Sequence, residues 1–255
     1  MKLDIAVLSR RGGHARNEDA CGYWTSDDYC CWVVSDGAGG HGGGDVASRT
    51  VVSNIVREFA SGPSVTGEAI ETLVRGANRA VLVKQKLQRE FQEMRATVAV
   101  LLLDRTRECL LWGTIGDTRV YGFRNGVVQF QTRDHSVMQS MLSDGDYAAA
   151  ALRQHPARSV LMHALGADQR LPCPVTHPPL FLRDGDAMLL CTDGLWAPVD
   201  ESAMEQCLST AANAEHWLAL LEGEILRSGS SRLDNYSAIA IKVSDLRDST
   251  FPGFG

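Results

Sequence analysis

The sequence lacks the features of membrane, secreted and nucleic-acid-binding proteins. Its first residues contain no apolar segment of the kind that a signal peptide requires. The longest apolar run that is typical of a core, residues 98–103, is far shorter than the roughly 20 residues that span a bilayer. Basic residues are scattered through a chain of formal net charge -6, and the pair Arg10 and Arg11 is too short for a basic arm. These absences predict a cytoplasmic protein without membrane insertion and without a nucleic-acid partner.

The sequence also lacks a proline- or serine-rich linker and an internal repeat. A chain of 255 residues with 44% hydrophobic side chains can bury one large core. We therefore predict a single domain over residues 1–243 and a short tail over residues 244–255. The seven cysteines have no C-x-x-C spacing, which favours reduced thiols over a zinc site. Four of them lie in apolar stretches and are expected to be buried: Cys30, Cys31, Cys109 and Cys191.

Hydrophobic periodicity predicts groups of strands and pairs of helices. Strands are expected at residues 3–8, 29–35, four times between 97 and 132, at 187–192 and at 237–243, and helices at 46–60, 68–91 and 215–227. The four strands between 97 and 132 are joined by short turns, which predicts an antiparallel meander with a hairpin at Asn125 and Gly126. The polar segment 135–166 predicts a mostly helical excursion over a site. This pattern favours an α+β fold with helix layers packed on antiparallel sheets.

Acidic residues recur where the predicted strands begin or end. Five such sites occur, at Glu18 and Asp19, Asp36, Asp117, Asp193, and Asp234. Carboxylates gathered at one sheet edge repel one another unless cations compensate them, and divalent metals prefer oxygen ligands. Gly37 lets the backbone approach an ion closely and offer its carbonyl. An isolated Asp-Gly pair is commonly a turn, but five acidic sites together predict a metal site.

Several short motifs resemble, in the same order, the signatures of the metal-dependent protein phosphatases (type-2C, PPM). They are RNEDA at 16–20, SDGAGGH at 35–41, GDTR at 116–119, TRDHS at 132–136, HP at 155–156 with L and ALG at 161–166, TDGL at 192–195, and DN at 234–235. The resemblance extends over residues of about 5–243. It implies two packed antiparallel β-sheets flanked by helix pairs, an α-β-β-α sandwich, with a flap at about 135–166.

The resemblance implies a serine/threonine protein phosphatase that hydrolyses phosphothreonine and phosphoserine. Its cofactors would be two Mn2+ or Mg2+ ions, with a third in bacterial members. A hydroxide bridging the two ions would attack phosphorus without a covalent phosphoenzyme. The absence of the C-x5-R signature agrees with this, since no cysteine is followed by arginine six positions later.

Transferred position by position, the resemblance assigns ligands to the acidic sites. Asp36 would bridge the two ions and Gly37 would offer its carbonyl. Asp193 and Asp234 would hold the first ion. Asp19 would hold the second ion, with Glu18 as the alternative ligand.

Two further positions keep two interpretations each. Asp117 resembles a ligand of the third ion, and the alternative is a structural carboxylate that caps the turn at Gly116. Arg119 is expected to form a structural ion pair, and the alternative is contact with the substrate.

The resemblance leaves the general acid and the phosphate ligand open. His41 and His135 are the candidate proton donors, although each could instead stabilise a loop or a turn. The family usually places a phosphate-binding arginine where this chain has His14. His14 could bind phosphate more weakly, Arg16 or Arg11 could replace it, or the binding could be lost. Loss would make the protein a pseudophosphatase that recognises phosphoproteins, and a small-molecule phosphomonoesterase is the third hypothesis.

The opening GGHARNEDACGYW also resembles phosphatases of the threonine-phosphorylation switch of type VI secretion. That resemblance implies a forkhead-associated-domain protein as the phosphorylated substrate. It further implies an opposing serine/threonine kinase.

Overall fold

The computed structural model of the chain describes residues 1–39, 43–136, 160–167, 171–172, 175, 178–229 and 233–245. Two five-stranded antiparallel sheets form its centre. The first has the order β1 (Lys2–Arg10), β12 (Tyr236–Ser244), β11 (Ala187–Cys191), β8 (Arg119–Arg124) and β9 (Val127–Gln131). The second has the order β10 (Leu180–Phe181), β7 (Cys109–Ile115), β6 (Val98–Asp104), β3 (Tyr29–Ser35) and β2 (Ala20–Thr25). A short ladder pairs β4 (Gly37–Ala38) with β5 (Arg95–Ala96).

Five helices flank the sheets in the described part of the chain. Helices α1 (Gly44–Ser61) and α2 (Gly67–Leu87) lie against the second sheet, and α3 (Asp193–Trp196), α4 (Glu201–Thr210) and α5 (Ala214–Arg227) lie against the first. Thr66 caps α2 by accepting a hydrogen bond from the amide of Ala69. The prediction for α2 continued to residue 91, but the α-helix ends at Leu87 and a 3-10 turn follows at Arg89–Phe91. The sequence did not predict α4, although Asp200 caps its first turn.

Three apolar cores hold these layers together. The middle core lies between the sheets and contains Trp32, Leu101 and Ile239, all fully buried. Burial of each such side chain contributes about 1.5–3 kcal/mol. Alternate residues of β3 face the middle core and the α1–α2 core, which explains its nearly continuous apolar sequence. The predicted α-β-β-α sandwich is therefore confirmed.

The predicted four-strand meander is wrong. β6 pairs with β7 in the second sheet, whereas β8 pairs with β9 in the first. The chain crosses from one sheet to the other at Gly116, whose φ of 93° is readily adopted only by glycine. The hairpin at Asn125 and Gly126 is confirmed, with positive φ at both residues. The crossing places Asp117 at the junction of the two sheets.

Other sequence predictions fall partly outside the described residues. The predicted helical character of the flap concerns mainly residues 137–159, which lie outside them, as do residues 246–255 of the tail. The described base of the flap is attached by bridges of Ser136 to Leu161 and of Ala96 to Leu165. The four cysteines expected to be buried are buried and are not joined in disulfides. No helix in the described part of the chain combines the length and apolar character needed to cross a bilayer.

Replacing Gly116 with alanine should strongly destabilise the fold. A Cβ there would lie 2.6 Å from Cγ2 of Thr97, in addition to requiring positive φ. A left-handed backbone costs a non-glycine residue about 1–2 kcal/mol. Overlap in a packed interior adds about 1–3 kcal/mol. Chemical denaturation should therefore show that the free energy of unfolding falls by about 2–5 kcal/mol.

Gly126→Ala is the matched control, because φ is 78° there and nothing lies within 4 Å of the added Cβ. Its free energy of unfolding should fall by only about 1–2 kcal/mol. Equal losses in the two variants would contradict the importance of the close approach to Thr97.

Candidate active site

An acidic cleft of about 340 Å3 lies at the common edge of the two sheets. The side chains of five carboxylates line it: Glu18, Asp36, Asp117, Asp193 and Asp234. Gly37 and Asn235 also line it, as do Leu161 and Ala164 from the base of the flap. The predicted convergence of the acidic sites on one edge is thus observed, with Asp19 as the exception discussed below.

Asp36 is held between the end of β3 and the start of β4. Its amide donates a 2.9 Å hydrogen bond to Oγ1 of Thr97, and its carbonyl accepts a 2.8 Å bond from the Thr97 amide. The hydroxyl of Ser35 donates to the Thr97 carbonyl at 2.7 Å. A side chain on Gly37 would overlap the carbonyl of Gly44, so position 37 requires glycine. These contacts fix the Asp36 backbone on both sides.

Glu18 and Asp19 occupy different environments. Glu18 lines the cleft, and its carboxylate lies close enough to Gly44 that a Cβ there would approach it to 2.7 Å. Asp19 is buried beneath the described cleft lining and accepts a 2.9 Å hydrogen bond from Oγ1 of Thr192. The Oδ1 atom of Asp19 is buried without a hydrogen-bond partner among the described residues. An unpaired buried carboxylate oxygen is costly, and a cation would satisfy it.

The other three carboxylates lie next to the ends of strands of the first sheet. Asp117 lies in the turn between β7 and β8, where its carbonyl accepts a 2.8 Å bond from Nε1 of Trp196. Asp193 begins α3 directly after β11, and Asp234 precedes β12. Asp117 and Asp193 are buried, whereas about half of the Asp234 side chain is exposed.

Burial and mutual repulsion favour the neutral forms of these carboxyl groups. Burial raises the pKa of Asp36 well above its usual range, and the charges of Asp19 and Asp193 raise it further. Burial likewise raises the pKa of Asp117, together with Asp193 and Asp134. The pKa of Asp19 rises to about 7 because of burial, although the nearby hydroxyls of Ser237 and Thr192 oppose the shift. Such a cluster is strained in the ionised state unless a cation enters it.

The chemistry of the donors suits a hard divalent ion. All the acidic side chains that line the cleft offer carboxylate oxygens as metal ligands, which Mg2+ and Mn2+ prefer. The unpaired oxygen of Asp19 offers one more. Within the described ranges, no three His, Cys, Asp or Glu side chains are grouped tightly enough to hold an ion as they stand. Ionised carboxylates repel one another, so that their close approach depends on the ion itself.

The candidate proton donors differ in what the structure shows of them. His41 lies outside the described residues. His135 is not among the described residues that line the cleft, and its Nδ1 accepts a 3.2 Å bond from the amide of Gly116. Burial lowers the pKa of His135, and the neighbouring His163 lowers it further. His135 is therefore a neutral imidazole within a turn at pH 7, and the general acid stays a prediction.

The two predicted phosphate ligands also differ in position. His14 lines the cleft, with its Nε2 3.3 Å from Oδ1 of Asp234. Arg16 is not among the described residues that line the cleft. Burial is the main reason why the pKa of Glu18 is raised, and the positive charge of Arg16 partly opposes that rise. The phosphate ligand stays a prediction at both positions.

Asn235 organises the cleft in a way that sequence reasoning did not assign. Its Oδ1 accepts from the amide of Glu18 at 2.8 Å, while its Nδ2 donates to the carbonyls of Arg11 and Arg16. One side chain thus ties the loop after β1 to the start of β12. The adjacent acidic motif drew attention to Asp234, but nothing local in the sequence shows that Asn235 reaches a loop more than 200 residues away.

The expected structural role of Arg119 is confirmed. Its guanidinium forms two 2.7 Å hydrogen bonds to the carboxylate of Asp134, and both side chains are buried. It also lies 3.5 Å above the ring of Trp196 and donates to the hydroxyl of Tyr121. This network supports Asp117 through the bond from Trp196.

Two face-to-face antiparallel sheets, with helices outside them and carboxylates at one shared edge, form the α-β-β-α sandwich that the motifs implied. A family model of protein phosphatase 2C matches residues 8–222. The chain belongs to this family and is a serine/threonine protein phosphatase of PPM type.

Known members of the family are similar in sequence and in structure. Serine/threonine phosphatase stp of Listeria monocytogenes is 28% identical over 200 residues, covering 76% of this chain and 78% of the relative. The catalytic domain of the phosphatase PstP, in complex with two manganese ions, has a TM-score of 0.80 at 26% identity, over 95% of this chain and 99% of that one. PppA, a key regulatory component of T6SS in Pseudomonas aeruginosa, has a TM-score of 0.79 at 27% identity, over the same shares.

The charge cluster predicts that Asp36→Asn stabilises the protein in chelator. Between the usual carboxyl pKa of about 4 and the raised value, the folded chain keeps a proton that the unfolded chain releases. Wild-type stability therefore falls as pH rises through this interval, and the variant lacks that loss. In chelator the variant should have a higher melting temperature than wild type at pH 8. The difference in melting temperature between the two should be smaller at pH 5. Each kcal/mol relieved raises the melting temperature by about 2–4 °C.

Asp27→Asn in the exposed turn before β3 is the control, and it should melt like wild type at both pH values. A lower melting temperature for Asp36→Asn than for wild type at pH 8 would contradict repulsion at the cleft.

Proposed function

We propose that this protein uses two Mn2+ or Mg2+ ions, bound at the acidic cleft, to hydrolyse phosphothreonine and phosphoserine in other proteins. The observation that carries the proposal is the convergence of five carboxylates on one cleft above the unpaired buried oxygen of Asp19. The two manganese ions in the PstP catalytic domain support the number of ions.

Each acidic residue has a proposed position relative to the ions. Asp36 would contact both ions and Gly37 would offer its carbonyl. Asp193 and Asp234 would hold the first ion, and Asp19 or Glu18 the second. When bound, the two ions supply an activated water and neutralise charge on the phosphoryl oxygens.

A third ion would contact Asp117. The burial of this carboxylate and its place in the cleft support a ligand role.

The remaining residues orient this acidic set. Thr97 holds the backbone of Asp36, and Asn235 holds the loop that carries Glu18. Groups fixed before the substrate arrives need little reorganisation when charge develops on the phosphoryl oxygens.

We assign the phosphatase activity to one catalytic domain over residues 1–243, with the flap at 135–166 and a tail at 244–255. The attachment of the flap base beside the cleft supports a protein-sized substrate.

Hydrolysis of a phosphothreonine peptide tests the proposal. Wild type should be active with Mn2+ or Mg2+ and inactive in chelator, and Asp36→Asn should fall below about one hundredth of wild-type activity with metal. Phosphate release measures the rate, and Asp27→Asn should keep wild-type activity. A panel of sugar phosphates should be hydrolysed more slowly than the peptide if proteins are the natural substrates.

Absence of hydrolysis with either metal, in a folded chain that binds Mn2+, would favour the pseudophosphatase hypothesis. The observation behind that hypothesis is the contact of His14 with Asp234 where the family usually has an arginine. Recovery of activity by His14→Arg would then show that this single position had caused the loss.

The proposal extends to reversal of threonine phosphorylation in type VI secretion, with a forkhead-associated-domain protein as substrate and an opposing serine/threonine kinase in the cytoplasm. Similarity to PppA supports it, together with the opening sequence motif. In the source organism, Asp36→Asn should raise the phosphothreonine content of such a protein and alter secretion, as measured by mass spectrometry and secretion assays. Unchanged phosphothreonine relative to Asp27→Asn would contradict this role and leave the chemistry standing.

A further inference from the structure

The acidic cleft contains an arginine to which none of the motifs assigns a role. Among the described residues that line the cleft, Arg95 is the only arginine, and it is half-buried. Its position in the sequence, in the short segment between α2 and β6, carries no signal that it belongs to the site. The fold therefore brings a permanent positive charge to a place that otherwise gathers carboxylates.

Backbone pairing on two sides fixes the position of Arg95. It lies opposite Ala38 in the β4–β5 ladder, one residue from the pairing of Ala96 with Gly37. On the other side, Ala96 and Leu165 exchange backbone hydrogen bonds of 3.1 and 2.7 Å. Arg95 thus stands between the strand that follows Asp36 and the base of the flap.

The guanidinium is held in place by hydrogen bonds from one nitrogen, and its other N–H groups are available to donate to a ligand. Its Nη1 donates to the carbonyl of Met94 at 2.9 Å and to that of Gln92 at 3.4 Å. Within the described part of the chain, its Nε and Nη2 make no hydrogen bond and no carboxylate forms an ion pair with it. A buried or half-buried arginine usually has such a partner, because its donors are costly to leave unpaired.

His14, the other basic side chain of the described cleft lining, is engaged differently. Its Nε2 lies 3.3 Å from the carboxylate of Asp234, and more than half of the side chain is exposed. An imidazole has two nitrogens and gives no parallel pair of donors to one phosphate. A guanidinium gives such a pair and is always charged.

We propose that the guanidinium of Arg95 binds the phosphoryl oxygens of the substrate and of the phosphate product. The inference rests on the proposed phosphatase function and assigns to Arg95 the phosphate contact that the motifs place at position 14. The ligand class is a phosphate monoester dianion or inorganic phosphate. The rival explanation is that Arg95 only balances the negative charge of the cleft.

Inorganic phosphate is the probe that separates the two explanations. The full chain with saturating Mn2+ is assayed with p-nitrophenyl phosphate, with inorganic phosphate as a competitive inhibitor. Arg95→Ala should raise both the inhibition constant of phosphate and the KM about tenfold to a hundredfold, since it removes a charged hydrogen-bond donor. Arg95→Lys should lose less, because it keeps the charge without the paired donors.

Arg89→Ala is the matched control, because Arg89 is exposed in the preceding 3-10 turn and does not line the described cleft. It should keep wild-type constants. Melting temperatures identify any variant that fails to fold, and Arg95→Lys provides the test in that event because it preserves most of the side chain.

Unchanged phosphate inhibition in folded Arg95→Ala, with or without tighter Mn2+ binding, would overturn the proposal and leave the phosphatase function standing. Calorimetric titration of the Mn2+-loaded chain with phosphate gives a second measurement that needs no turnover. Weaker phosphate binding in Arg95→Ala than in wild type would support the inference, even if the chain hydrolyses no phosphate ester. The lack of hydrolysis would then overturn the proposed function alone. A wild-type chain that hydrolyses the ester but binds no phosphate would overturn the inference and leave the phosphatase function standing.

Discussion

Repulsion among carboxylates at one edge of the sandwich is the constraint on which the rest of the site depends. Burial alone raises the pKa of Asp36 and Asp117, and their charged neighbours raise it further. Such an arrangement persists only where the surrounding fold fixes it. The rigid ends of β3 and β11, and the three apolar cores behind them, supply that stability. The site is thus unfavourable for an isolated apoprotein and favourable for one that binds cations.

The crossing of the chain between the sheets connects this cluster to the interior. Gly116 makes the sharp turn, and Arg119 immediately beyond it forms a buried pair with Asp134. A buried ion pair contributes little net stability, but removal of one partner is strongly destabilising. The pair is therefore better understood as fixing geometry, because it supports Trp196, whose indole holds the carbonyl of Asp117.

The sequence was most informative where structure is local. Strand ends marked by acidic residues, the helices α1, α2 and α5, and the hairpin at Gly126 all follow from short-range pattern. The assignment of strands to sheets was wrong between residues 97 and 132, because turn length does not reveal that Gly116 carries the chain to the other sheet. The role of Asn235 and the place of Arg95 in the cleft could not be predicted for the same reason, since each residue is positioned by partners distant in sequence. The motifs located the carboxylates and left their supports unassigned.

The charges of the cleft also explain why a cation should stand beside the flap. Five carboxylates line the described cleft and Asp19 lies beneath it, so two divalent ions would leave a negative balance for an arriving phosphate dianion. Arg95 offsets half of that negative balance, and a third divalent ion at Asp117 would offset all of it. The two devices differ in consequence. The occupancy of a third ion site depends on the metal concentration in solution, whereas a guanidinium fixed by β5 is present whenever the chain is folded. A chain with histidine at position 14 therefore has a physical reason to keep an arginine at position 95.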